Sequence, residues 1–164
     1  CPINIVFNHL SRKMEYKYIT LISIYNPLIG LTMDLVCHLL HSSFWAFLAS
    51  ENLTKKGIDI SIIDARFAKP LDENLIWQIA TEHEVLITIE EGSIGGFGSH
   101  VSQFLSEKNL LDSNLKFRSM ILPDRFIDHD KPELMYKFAN LDSIGIENKI
   151  LDTLNSKVLI KKSN

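Results

Sequence analysis

The sequence predicts a three-layer α/β domain built on a parallel sheet. Two apolar runs, Ile60-Ser61-Ile62-Ile63 and Val85-Leu86-Ile87-Thr88-Ile89, are short and rich in β-branched residues, as strands buried on both faces are. Helical patterns alternate with them, the order that sets parallel strands side by side. The second run leads straight into Glu90-Glu91-Gly92-Ser93-Ile94-Gly95-Gly96-Phe97-Gly98-Ser99 and then a further helical pattern. Strand, acidic pair, glycine-rich turn and helix thus follow one another. In an open sheet that junction falls at the carboxyl edge, where such folds place their working surfaces.

Residues 1–51 differ from the rest. Acids are almost absent up to Ser50, with only Glu15 and Asp34. Arg12, Lys13 and Lys17 precede an apolar stretch from Tyr18 to Leu31, an arrangement shared with signal peptides and membrane helices. Asn26-Pro27 and Gly30 interrupt that stretch, and Asp34, His38 and His41 break the next, so no membrane segment is expected. Tyr18 to Ile24 can form a strand. Leu31 to Leu48 can form a helix with Leu35, Leu39, Trp45 and Phe47 toward its apolar side. Cys37-His38-x-x-His41 invites a metal reading, but a structural zinc wants four ligands and no second cluster supplies them. A partly buried helix carrying two histidines is expected instead.

From Asn52 the pattern is clean. Lys55-Lys56-Gly57 closes a helix, with cations in the last turn and Gly just past it. Lys69-Pro70-Leu71-Asp72 is a break and then a helix start, with Asp72 as N-cap. Leu75, Ile76, Ile79 and Ala80 face inward on that helix, and His83 is an end residue rather than a catalyst. After the strand at Val85–Ile89, a helix from roughly His100 to Ser106 carries Val101, Phe104 and Leu105 inward. Lys116 to Leu122 is a further strand, stopped by Pro123. Pro132 suits the first turn of a helix that Asn140 ends. Ile146, Ile150 and Leu154 mark a last helix, and residues 157–164 form a tail expected to fray.

Hydrophobic residues make up 46% and charged residues 23% of the 164, enough for one domain with a real core. A net charge of -3 gives no reason to expect nucleic acid as a partner. Cys1 and Cys37 make no disulfide framework, which favours a reducing, cytoplasmic location. Because the first residue is Cys, the chain is expected to begin inside a longer reading frame.

The turn admits three readings. As a phosphate cradle it matches neither the dinucleotide spacing nor the Gly-Lys-Ser/Thr ending of a P-loop. As a catalytic carboxylate pair it suffers from adjacent strand residues pointing to opposite faces. The preferred reading is architectural. Gly95, Gly96 and Gly98 supply positive φ and close approach, with Glu90 and Glu91 at the base of the turn. A buried acid there needs a donor, expected to be the helix N–H groups beyond Ser99 or Arg66.

Three strings carry a resemblance: Asp64-Ala65-Arg66-Phe67-Ala68-Lys69-Pro70-Leu71-Asp72; the turn with Ile87-Thr88-Ile89 before it; and Leu122-Pro123-Asp124-Arg125-Phe126-Ile127. Together they resemble the C-terminal domain of the 1-deoxy-D-xylulose-5-phosphate synthases, within the transketolase family, in order and spacing from Asn52 to Leu154. The resemblance implies a Rossmann-like, mostly parallel sheet of the transketolase C-terminal type over residues 52–156. It implies a thiamine-diphosphate and magnesium enzyme, a homodimer of three-domain subunits. That enzyme joins pyruvate, with loss of carbon dioxide, to glyceraldehyde 3-phosphate, feeding isoprenoid and thiamine biosynthesis.

In the family the cofactor belongs to the other two domains, and nothing here matches their Gly-Asp-Gly…Asn motif. This chain alone is therefore expected to bind no cofactor, to carry no catalytic residue and to be inactive. Asp64, Arg66, Lys69, Glu90, Glu91, Gly95, Gly96 and Gly98 are expected at a structural turn or domain interface. The implied partners are the missing N-terminal and central domains of the same enzyme. The alternative is a non-catalytic α/β assembly module. Two departures stand out. The family places a first strand and a helix before the Lys55-Lys56-Gly57 turn, with a Gly-Thr-Arg-like turn between them; residues 1–50 do not show this, and Ser42 to Phe47 stands roughly where that strand and turn should be. Asp130 and Asn140 occupy positions where the family often has Gly.

Overall fold

The computed structural model describes residues 19–23, 42–65 and 68–160. The basic residues before Ile19, the Cys37, His38 and His41 cluster, and Arg66 lie outside the described residues. Among the described residues four parallel strands form one sheet: β1 (Ile19–Ser23), β2 (Ile60–Asp64), β3 (Val85–Ile89) and β4 (Lys116–Met120), in the order β2-β1-β3-β4. Ile19 stands in register with Ile60 on one side and Val85 on the other. Helices α1 (Ser42–Thr54) and α5 (Ser143–Ile160) cover one face, and α2 (Glu73–Glu82) and α3 (Phe97–Glu107) the other. A short helix, α4 (Pro132–Phe138), joins β4 to α5.

The chain winds outward from β1 to β2, crosses back to β3 and continues to β4. Winding therefore reverses between β1 and β3, and a reversal of that kind opens a crevice at the carboxyl ends of the strands. All five residues of β3 are buried. Val85, Ile87 and Ile89 pack with Ala46, Ala49 and Leu53 of α1 and Ile146 and Ile150 of α5. Leu86 packs on the opposite face with Ile76 and Ile79 of α2 and Val101, Phe104 and Leu105 of α3. A two-sided core explains why this run reads as unbroken apolar sequence rather than as an alternation.

The local signals act as expected at several ends. Gly57 takes φ 78 just past α1, and Asn140 takes φ 56 just past α4. The Asp72 side chain accepts from the Leu75 N–H at 3.0 Å, capping α2. Pro132 opens α4.

Other boundaries differ. The strand expected at Tyr18 to Ile24 is present as β1, and with α1 after it the chain does supply a first strand and helix before Lys55-Lys56-Gly57, which the resemblance to the family pattern does not locate in residues 1–50; Ser42 to Phe47 is helix. Helix α1 is described from Ser42 and runs to Thr54, past both the expected end at Leu48 and the expected boundary after residue 51. Strand β2 is an edge strand, and Ile60 and Ile62 are only half-buried. Strand β4 stops at Met120, so Ile121 and Leu122 leave the sheet, and the Leu122 N–H donates to the Gly92 carbonyl at 2.9 Å. Helix α3 begins three residues earlier than His100, and α5 extends into the expected tail as far as Ile160.

A polar clasp joins α1 to α5. Glu147 accepts from Asn52 Nδ2 at 2.7 Å and Lys56 Nζ at 2.8 Å. Burial opposes ionisation of this carboxyl, but the two donors and the Lys56 charge outweigh it and hold the group below its usual range. Because the folded value is the lower one, the gain in stability is present above the unfolded value. It is lost as pH falls through the folded value. Lys56 is 53% exposed, so its share is small. Glu147→Ala is expected to cost about 1–2 kcal/mol at neutral pH. Its urea midpoint should approach that of the wild type only once the pH is lowered past the usual carboxylate range of about 4.3.

Candidate functional site

The glycine-rich turn begins where β3 leaves the sheet. The Glu90 N–H donates to the Met120 carbonyl at 3.0 Å, which extends the β3–β4 ladder. The Glu90 side chain, 7% exposed, folds beneath the turn. Its Oε2 accepts from the Phe97 N–H and its Oε1 from the Gly98 N–H, each at 2.9 Å. These are first-turn donors of α3, which no carbonyl of the helix can satisfy, and they sit at the positive end of its dipole. The N-cap of α3 is Gly96, which has no side chain to offer. Glu90 performs that task from the strand before.

Of the three glycines only Gly95 has a positive φ, at 98. Gly96 has φ -79 and Gly98 lies inside α3, so positive φ is not what they supply. Their constraint is steric. A Cβ on Gly96 would run into the Glu90 carboxylate, and one on Gly98 into the hydroxyls of Ser119 and Thr88. The glycines let the strand-end acid and the helix start approach closely enough to bond. Gly96→Ala is expected to displace the carboxylate and cost about 1–3 kcal/mol, read as a lowered denaturation midpoint.

Glu91 serves a different helix. Its Oε1 accepts from the N–H of Ser42, the first residue of α1, at 2.9 Å. The Tyr136 hydroxyl of α4 also bonds to it, and burial, then that bond and the Glu91 charge, push the phenol above its usual range. The Tyr136 ring packs against Trp45, centroids 6.0 Å apart. The two adjacent acids thus point apart, one holding α3 and the other α1 and α4. The donors to Glu90 lie ahead of Ser99, not beyond it as expected, and Arg66 lies outside the described residues.

The remaining expected residues stand apart from this turn. Asp64 is exposed at the carboxyl end of β2, with β1 between it and β3. Lys69 is exposed in the connection that follows, ahead of a cis bond to Pro70. His83 closes α2 at the opposite edge of the sheet, its Nδ1 3.1 Å from the Ile79 carbonyl. Burial holds its imidazole below the usual range, against the Ile79 bond and the Glu82 charge. Ser42 and Tyr136 carry no sequence signal for their roles, because both depend on how α1 and α4 dock rather than on local pattern.

Among the described residues, no three His, Cys, Asp or Glu side chains gather as a metal site would need. A diphosphate at the start of α3 would have to displace Glu90 from the N–H groups it occupies. The residues of the turn therefore do not fit the diphosphate of a thiamine cofactor.

The fold and the turn define a doubly wound parallel domain whose strand-end acids cap its own helices. The family model for the C-terminal domain of transketolase matches residues 44–146, and the chain belongs to that family. A solved structure described as a split gene transketolase, an inactive beta4 tetramer, matches with a TM-score of 0.66 at 22% identity. The match covers 86% of this chain and 40% of that one, so this chain spans less than half the length of its structural neighbour. No helix among the described residues is long and apolar enough to cross a membrane.

Proposed function

We propose that this chain is the C-terminal domain of a thiamine-diphosphate enzyme of the 1-deoxy-D-xylulose-5-phosphate synthase type. The whole enzyme would join pyruvate, with loss of carbon dioxide, to glyceraldehyde 3-phosphate. This domain would be architectural. Its partners would be the N-terminal and central domains, which hold thiamine diphosphate and magnesium, within a cytoplasmic homodimer.

The commitment of both turn acids to helix ends carries this reading. A general acid or base must reach substrate, whereas both Glu90 oxygens are bonded inside the protein. The finer assignment rests on the string Asp64 to Asp72, which resembles the synthase more than other transketolase-type enzymes. The test has two parts. Calorimetry of the chain alone with magnesium and thiamine diphosphate should give no binding heat, and a magnesium-dependent isotherm would refute the architectural role. Adding the two cofactor-bearing domains should yield 1-deoxy-D-xylulose 5-phosphate from pyruvate and glyceraldehyde 3-phosphate. Ketol transfer between sugar phosphates in its place would overturn the synthase assignment.

A further inference from the structure

Beyond β4 the chain crosses the carboxyl edge of the sheet on its way to α5. Residues 124–138 of that crossing hold no buried side chain, and only Ile127, Met135 and Tyr136 are half-buried. The backbone bonds of this stretch stay local. The Arg125 N–H donates to the Pro123 carbonyl, and the Leu134 and Met135 N–H groups donate to the Lys131 carbonyl. None reaches a strand or another helix among the described residues. Both flanks are fixed: the Leu122 N–H is held by the Gly92 carbonyl, and Ala139 and Leu141 are buried in the core. The stretch is also tied to itself, since the Arg125 guanidinium stacks 4.2 Å from the centre of the Phe138 ring. A surface segment with few buried apolar groups, tied near its two ends, opens at less cost than global unfolding.

We infer that residues 124–138 form a strap that opens from the carboxyl edge as one unit, with Tyr136 as the pin that closes it. Two of its side chains, Ile127 and Tyr136, pack against the main core. Ile127 has only apolar contact to offer. Tyr136 makes the directed contacts: its ring packs against Trp45 of α1, and its hydroxyl meets Glu91 just past the end of β3. The closed strap therefore bridges the end of β3 and the first turn of α1. Arg125 on Phe138 carries a movement at the rear of the strap to its front, which makes it one unit rather than two loops. Opening withdraws the phenol from Glu91 and bares the side of Trp45 that the Tyr136 ring covers.

Hydrogen exchange of the whole chain, with limited trypsin cleavage beside it, tests the inference. The Met135 amide of α4 is expected to exchange at least about tenfold faster than the amides of β3 and of α5 up to Leu154. Tyr136→Ala, which removes ring and hydroxyl together, should speed Met135 about tenfold further and leave β3 and α5 unchanged. Tyr136→Phe keeps the ring on Trp45 and should speed it by less. Cleavage after Arg125, at the front of the strap and far along the chain from the pin, should rise in each variant by the same factor as the Met135 exchange. A Met135 amide as well protected as α5 in the wild type would overturn the proposal. So would exchange at Met135 that neither variant changes, or a rise there without one at Arg125. Loss of protection in β3 in step with the strap, in Tyr136→Phe as in Tyr136→Ala, would make Tyr136 a support of the whole fold and would overturn it as well.

Discussion

Glu90→Ala is expected to destabilise the protein by about 3–5 kcal/mol, since hydrogen bonds to a charged group contribute about 1.5–3 kcal/mol each. Two such bonds disappear at once, to the N–H groups of Phe97 and Gly98. Both donors belong to buried residues, so water replaces the carboxylate poorly. The charge at the positive end of α3 is lost as well. At about 3–4 °C per kcal/mol the melting point should fall by about 9–20 °C. Glu90→Gln keeps one oxygen acceptor but turns an amide NH₂ toward a backbone N–H, so about half the loss should remain. A melting point for Glu90→Ala within about 2 °C of wild type would mean that the acid does not cap α3.

Ile87→Ala is the other change with a large expected effect, a loss of about 3–5 kcal/mol in urea unfolding. Ile87 is fully buried at the middle of β3, under α1 and α5, and neighbouring strands hold it in register with Leu21 and Arg118. A strand fixed on both edges and covered on both faces cannot collapse into the space that the side chain leaves. Ile62→Ala, on the half-buried edge strand, should cost less than half as much. Equal losses at the two positions would contradict the placement of β3 at the centre.

Much of the fold after Asn52 was legible because local chemistry and tertiary position agree there. Asp72, Gly57, Pro132 and Asn140 each act within one turn of themselves, so nothing distant can overrule them. The acid-to-helix relation of the turn was legible in kind, but its residues were not. The expectation of positive φ at Gly96 and Gly98 failed because their constraint is a neighbouring side chain, which a sequence does not place. The end of helix α1 was placed too early, at Leu48, because its sequence shows no single apolar side. Phe44, Trp45, Phe47 and Leu48 crowd around it, while the residues it buries include Ser42, Ala46 and Ala49, small groups that let α1 sit close to the sheet and α5. The β4 run overshot at Ile121 and Leu122, and Leu122 packs against the core after the chain has left the ladder.

The central position of β1 sets the order in which the protein can be completed. Strand β1 comes first in the described chain, yet its neighbours at Ile60 and Val85 follow Ile19 by 41 and 66 residues (60 less 19, and 85 less 19). Strands β3 and β4 are only 31 residues apart, from Val85 to Lys116. Closing the longer loops costs more entropy. On the ribosome the amino-terminal part emerges first. Strand β1 therefore waits with open edges, gaining β2 on one side and β3 on the other only once Ile89 has been made. A nascent chain halted before that point holds the strand meant for the middle of the sheet with one edge still available to any other strand it meets.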